Sequence, residues 1–273
     1  MIIAELCQNH RGRLTVLKDM IGHAAESGAK FAKIQTFFAD DLAKRWRDRY
    51  THYKELELSW DDHIKFVEWC RYYAITPMTS VYNAKYLTKL KDVGFKHVKI
   101  GSADAFNEHL IRFVGMNGMT AYVSTGGQDL DSIPKGHKNI ECYFHCVSKY
   151  PANYKEANLA RFIRMKEVFP NNNIGFSDHT DPTGEFSEMP SMVASALGAK
   201  YIEKHFTIID RTLTKDGHVS IYPDQLKKLC EFHNRTEEFK ISMLPHVPLP
   251  MFKDKMDQEQ IDTIKKYQTR WKD

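Results

Sequence analysis

The chain has 273 residues and no apolar run near the roughly 20 residues that cross a bilayer, so no membrane partner is expected. It has no Cys-x-x-Cys pair, and its cysteines, Cys7, Cys70, Cys142, Cys146 and Cys230, are odd in number. That argues against a disulfide framework and for reduced thiols in a cytoplasmic protein. The opening Met1-Ile2-Ile3-Ala4-Glu5 lacks a basic-then-apolar leader and reads as the start of a strand. No glycine-rich phosphate loop of the dinucleotide-binding or P-loop kind occurs, and Gly126-Gly127 alone carries no weight. The net charge is only +4, so nucleic acid is not implied and a small anion is merely compatible.

What is present is a repeat of short apolar runs, each followed by an amphipathic stretch. Strand-like runs fall at 2–8, 31–37, 76–81, 97–102, 120–125, 140–147, 173–178 and 200–207. Helix-like stretches fall at 14–27, 61–74, 83–93, 107–117, 155–169, 186–198 and 223–240. After the fifth strand, residues 128–138 hold Pro134 and Gly136, so no full helix is expected there. Regular alternation predicts a parallel sheet, and eight units predict a closed α/β (β/α)8 TIM barrel in a single domain. The barrel is expected over 1–240, with a short, partly helical tail over 241–273 that opens on Pro245, Pro248 and Pro250. Ser59 reads as an N-cap, Gly28 and Gly198 as helix terminators, and Pro223 as a first-turn proline. Residues 39–58 form a charged, aromatic insertion that suits a lid, a subunit contact or a solvated loop.

Side chains alternate along a strand, so residues two apart share a face. One parity is apolar; the other carries Glu5, Lys33 and Gln35, Lys99, Ser124, His145, Ser177 and His179, then Glu203 and His205. A barrel filled only for packing would use Val, Ile and Leu there. Burying so many polar groups without partners costs several kcal/mol each, by order of magnitude, so a bound anion and a metal are indicated. Lys204 falls on the helix-facing parity and is expected to snorkel to the surface.

Glu5, His179 and His205 come from strands one, seven and eight, which closure makes neighbours. Two imidazoles and a carboxylate suit a divalent ion. A single such histidine is more often a hydrogen-bonded core residue; His10, His97 and His145 are read that way. Lys33 and Lys99, with Ser102, Ser124 and Ser177, suit a phosphate or carboxylate cradle; a lysine imine is the alternative. Asp104 and Asp216 follow strands four and eight and can serve as acid, base or hydroxyl acceptor, although loop aspartates are commonly solvated or capping.

These residues stand in strings that resemble the sialic acid synthases. Ile3-Ala4-Glu5 with Asn9-His10-Arg11-Gly12 resembles the family's I-A-E-x-x-x-N-H-x-G, and Ala29 to Thr36 resembles A-D-x-x-K-x-Q-T. Further matches are Lys99-Ile100-Gly101-Ser102, Ser124-Thr125-Gly126, His145-Cys146 with Tyr150-Pro151, Ser177-Asp178-His179-Thr180 and Ile202-Glu203-Lys204-His205-Phe206-Thr207. The resemblance implies condensation of phosphoenolpyruvate with an N-acetylmannosamine-like aldose, giving a nonulosonic acid and phosphate. It implies a divalent metal, manganese before magnesium or cobalt, at Glu5, His179 and His205. Phosphoenolpyruvate contacts would be Lys33, Ser80, Lys99, Ser102, Ser124, Ser148 and Ser177. Sugar contacts would be Gln35, Tyr82, Asp104, Tyr150 and Asp216. Catalysis would fall to Lys99, Asp104 and Glu5, and a homodimer is implied.

Departures are specific. The family's S-T-P-F is here Thr79-Ser80-Val81-Tyr82, its Asn before Tyr-Pro is Ser148, and its usual Glu after Gly-Ser is Asp104. Family members usually carry a C-terminal antifreeze-like domain, for which the residues after 240 are too few. Competing readings are a 3-deoxy-ulosonate-type synthase with a phosphorylated acceptor, a lysine aldolase, and a non-catalytic binding homologue. A phosphorylated acceptor would need a second basic cluster, for which Arg45 to Arg49 is the candidate.

Overall fold

The computed structural model describes residues 1–184, 186–247, 249–252, 258–268 and 270–271. The first half of the chain forms β1 (Ile2–Glu5), α1 (Leu14–Glu26), β2 (Phe31–Thr36), α2 (Tyr50–Leu56), α3 (Trp60–Tyr72), β3 (Thr76–Val81), α4 (Leu87–Val93), β4 (His97–Ile100), α5 (Glu108–Met116) and β5 (Thr120–Ser124). The second half forms β6 (Ile140–Cys146), α6 (Leu159–Val168), β7 (Asn173–Asp178), α7 (Met189–Ala196), β8 (Tyr201–Phe206), β9 (Ser220–Ile221), α8 (Pro223–His233), α9 (Glu237–Ser242) and α10 (Gln258–Tyr267). Strands one to eight pair in order, all parallel, and β8 pairs back onto β1, closing the barrel. The two-residue β9 adds to the rim of β8.

Local chemistry sets the element ends. Ser59 accepts from Asp62 N–H while Asp62 accepts from Ser59 N–H, a reciprocal cap that starts α3. Gly28 and Gly198 take φ of 92° and 88°, which a Cβ would penalise, and terminate α1 and α7. The breaker-rich link after β5 holds only a 3-10 turn, Leu130–Ser132. The expected helix over 223–240 is instead two, because Thr236 caps a fresh start: its side chain accepts from Phe239 N–H. Pro248 lies outside the described residues.

The main core lies between strands and helices, where Ala32, Ile34, Val98, Val123, Ile202 and Phe206 meet Leu17, Phe66, Ile111 and Phe162. Each of these side chains larger than alanine contributes about 1.5–3 kcal/mol on burial. A separate apolar plug of Ile3, Phe31, Met78, Tyr122, Cys142, Phe144 and Tyr201 fills the barrel's lower interior. The 39–58 insertion is not a solvated loop. Its Leu42, Trp46 and Tyr53 are buried with Phe37, and Tyr267 and Trp271 of the tail pack on them. Ala43 N–H donates to Arg270 O at 2.9 Å, tying tail to insertion.

Two expectations are corrected here. Lys204 does not snorkel outward. It is 1% exposed, its Nζ lies 3.1 Å from Asp178 Oδ2, and it donates to Thr180 O at 3.1 Å. Ser191 of α7 donates to the same aspartate at 2.6 Å, so the group joins sheet to helix. His145 does not face the interior. Its neighbours Phe144 and Cys146 do, while His145 stacks on Phe176 and donates from Nε2 to Ala157 O at 2.8 Å. In β6 the polar parity is the helix-facing one, because a backbone acceptor is available there.

Candidate active site

Above the plug, the inward side chains turn polar and surround a cavity of about 340 Å³ at the carboxyl ends of the strands. Its floor is a set of four buried charges. Glu5 from β1 and Lys33 from β2 are register neighbours and form an ion pair. Lys99 Nζ donates to Glu203 Oε2 at 2.8 Å, and Lys33 Nζ lies 3.6 Å from the same oxygen. Ser177 donates to Glu203 Oε1 at 2.9 Å, and Lys33 donates to Ser80 Oγ at 2.9 Å. Lys99 Nζ also sits 3.9 Å over the Phe144 ring, a cation–π contact with the plug. Burial lowers the pKa of Lys33 to about 8, although Glu203 partly restores it. Burial works against the charge on Glu203, but Lys33 and Lys99 outweigh it and hold the carboxyl well below the usual range.

The next tier holds His179 and His205, with ring centroids 5.5 Å apart, and Tyr150 lies 4.1 Å from the His179 ring. A carbonyl can only accept, so the 2.7 Å contact to Val147 O makes Nδ1 the protonated nitrogen of His179 and leaves Nε2 with the lone pair. Burial lowers the pKa of His179 to about 4, and burial with His179 nearby holds His205 well below its ordinary value. Both rings are therefore neutral at pH 7. Gln35 donates to Glu5 Oε1 at 3.5 Å, and Gln8 reaches Gln35 at the same distance. Ser102 Oγ accepts from Gly126 N–H at 2.9 Å and meets Cys146 Sγ at 3.3 Å, so that hydroxyl is held by the ends of the two neighbouring strands, β5 and β6. Ser124, Ser148, Tyr82, Asp104 and Asp216 complete the lining foreseen from the sequence.

Other lining residues were not foreseen. Glu203 stood on the inward parity without a role, and it is the carboxylate both lysines share. Tyr53 comes from the insertion; Tyr267, Arg270 and Trp271 come from the tail. Arg270 donates from Nη1 to Tyr53 Oη at 3.2 Å, and Trp271 stacks 5.3 Å from Tyr82. The only sequence signal for them was a cluster of aromatic and basic residues in two segments at opposite ends of the chain, Tyr53 and Arg270 being 217 positions apart. Arg45 and Arg47 do not line the cavity. They donate outside it, to Lys266 O and Asp40 O, and the rim cations are Lys215 and Arg270.

A family model described as the NeuB family matches residues 20–242. The chain belongs to the NeuB family. Similar relatives include the N,N'-diacetyllegionaminic acid synthase of Legionella pneumophila, 30% identical over 84% of this chain and 70% of that protein. The N-acetylneuraminate-9-phosphate synthase of Drosophila melanogaster is 28% identical over 96% of this chain and 73% of that one. Among solved structures, N-acetylneuraminic acid synthetase of Leptospira borgpetersenii in complex with citrate superposes with a TM-score of 0.79 at 28% identity, covering 96% and 89% of the two chains. By name these NeuB relatives are synthases of N,N'-diacetyllegionaminic acid, of N-acetylneuraminate 9-phosphate and of N-acetylneuraminic acid. Among the described residues, no helix is long and apolar enough to cross a membrane.

The mouth of the NeuB barrel also carries a donor set for a metal. Among the described residues, the group of three donors whose ligand atoms all lie within 4.8 Å is Cys7, His205 and Asp216. His205 Nδ1 is buried without a hydrogen-bond partner, as a ligand nitrogen would be. Glu5, expected as the carboxylate ligand, stands in register with His205 but is committed to Lys33. His179 lies beside the trio rather than within it. The residues thus fit a divalent ion, with Asp216 as the converging carboxylate.

Proposed function

We propose that this chain condenses phosphoenolpyruvate with an N-acetylmannosamine-like aldose, releasing phosphate and a nonulosonic acid. The observation that carries this reading is the pair of buried lysines, Lys33 and Lys99, ringed by hydroxyls at the floor of one cavity. The four floor charges sum to zero, so a bound polyanion requires the lysines to be shared with Glu5 and Glu203. Cationic rim groups and a divalent ion offset the added charge. Lys33, Lys99, Ser80, Ser124, Ser148 and Ser177 hold the phosphate and carboxylate, and their charge favours departure of phosphate after water adds. Asp104 and Asp216 accept hydroxyls of the acceptor or move its proton. Tyr82, Tyr150, Gln35 and the tail residues close the outer half around the sugar and exclude water. A divalent ion, bound at the mouth, would supply Lewis-acid polarisation of the aldehyde. The reading places the enzyme in the cytoplasm, as a homodimer, which sedimentation tests.

The test is phosphate release from phosphoenolpyruvate with manganese, cobalt or magnesium and a panel of acetamido-aldoses, free and phosphorylated. Release with an aldose supports the reading; none from folded protein with any aldose sinks it. The depressed pKa of Lys33 keeps a second reading, a lysine imine, in view. Its ion pairs with Glu5 and Glu203 favour the ammonium and thus electrostatics. Borohydride trapping with pyruvate distinguishes the two, since only an imine is reduced to a stable adduct.

A further inference from the structure

We propose that Cys7 is a thiolate ligand, making the mouth of this barrel a sulfur–nitrogen–oxygen centre with His205 and Asp216 that takes a borderline d-block cation such as iron(II), cobalt(II) or zinc(II). The proposal deepens the reading above, and rests on it only for the ion's part in the reaction.

Two observations point to it. The donor atoms of Cys7, His205 and Asp216 converge within 4.8 Å although they come from the two ends of the chain. Independently, His205 is 6% exposed and keeps Nδ1 sealed from solvent with no partner, a cost a metal bond would remove. Cys7 follows β1 on the inward parity at 1% exposure, and φ of 36° places it in the sparsely populated left-handed region. A packing cysteine would not require that backbone.

The chemistry then separates metals. Oxygen-only sites suit magnesium, calcium and manganese, whereas a thiolate and an imidazole shift preference toward softer ions. On binding, the Cys7 S–H bond breaks, the sulfur pair goes to the ion, and the proton leaves to solvent.

The experiment uses the full chain stripped of metal, with cobalt(II) added and no substrate. An intense near-ultraviolet sulfur-to-cobalt band is expected; Cys7→Ser loses it and Cys146→Ser, which removes the cysteine that lines the cavity, keeps it. No band in the unsubstituted protein, or a band that persists in Cys7→Ser, overturns the proposal. If Cys7→Ser does not fold, zinc calorimetry in buffers of differing ionisation enthalpy decides on the unsubstituted chain. About one proton released per ion supports a thiolate ligand, and none overturns it. A band without phosphate release from any aldose would uphold the thiolate and sink the condensing reading; release without a band would do the reverse.

Discussion

Lys99 Nζ and Glu203 Oε2 meet at 2.8 Å inside the barrel, although 104 residues separate them in the chain. The same oxygen lies 3.6 Å from Lys33, so one carboxylate holds two buried ammoniums together. Removing one partner of a buried pair leaves an uncompensated charge, which costs about 3–5 kcal/mol. Glu203→Gln is therefore expected to lower unfolding free energy by about that amount in urea titration. A loss under about 1 kcal/mol would mean that water already reaches the floor.

The lysine cradle should show in the pH profile. Burial brings Lys33 to about 8 in the free protein, and an anion needs its charge. The ratio kcat/KM for phosphoenolpyruvate is expected to be level below pH 8 and to fall above it. Lys33→Arg should flatten that fall, since guanidinium stays charged. For stability the sign is opposite. The unfolded lysine titrates near 10.5, so the buried charge costs stability below about pH 8, and the cost is relieved as pH rises toward 10.5. An activity profile flat to pH 10, or so, would dismiss Lys33 as the titrating group.

Arg270 reaches the cavity from the tail, and its Nε is buried without a partner. Arg270→Ala should weaken use of the sugar far more than it weakens phosphoenolpyruvate affinity, to which Arg270 contributes only as one of the rim cations. A charged hydrogen bond of about 1.5–3 kcal/mol corresponds to roughly ten- to a hundredfold in kcat/KM for the acceptor. Steady-state kinetics with each substrate varied in turn checks this. An equal loss for both substrates would point to a general role in packing.

Asp178 and Lys204 form a second buried pair, on the helix side of the barrel. Asp178→Ala should cost about 3–5 kcal/mol of stability. Phosphoenolpyruvate affinity should change far less, because the pair faces away from the cavity. Chemical denaturation and equilibrium binding, run side by side, measure the two effects.

The site's membership was readable because strand geometry is local. Alternation set Glu5, Lys33, Lys99, Ser177, His179 and His205 apart from the apolar parity of their strands, and each lines the cavity. Alternation does not say which parity is inward, and His145 shows the consequence. In β6 the apolar Phe144 was needed beneath Lys99, so the histidine went outward to a carbonyl. Partner choice was equally hidden. Lys204 looked stranded until Asp178, 26 residues away in the chain, came alongside in register.

The amino-acid order by itself determined the eight-unit barrel, its element ends and the tier of polar side chains, because periodicity and capping act over a few residues. Only the tertiary structure decided which carboxylate meets which cation, which donors converge around His205, and that insertion and tail wall the mouth together. Those are contacts between residues as distant in the chain as Phe37 and Trp271, whose stacked rings have centroids 5.5 Å apart, and no local rule encodes them. Closure of β8 onto β1 is the event that creates them, since it turns the two ends of a linear pattern into adjacent walls of one cavity.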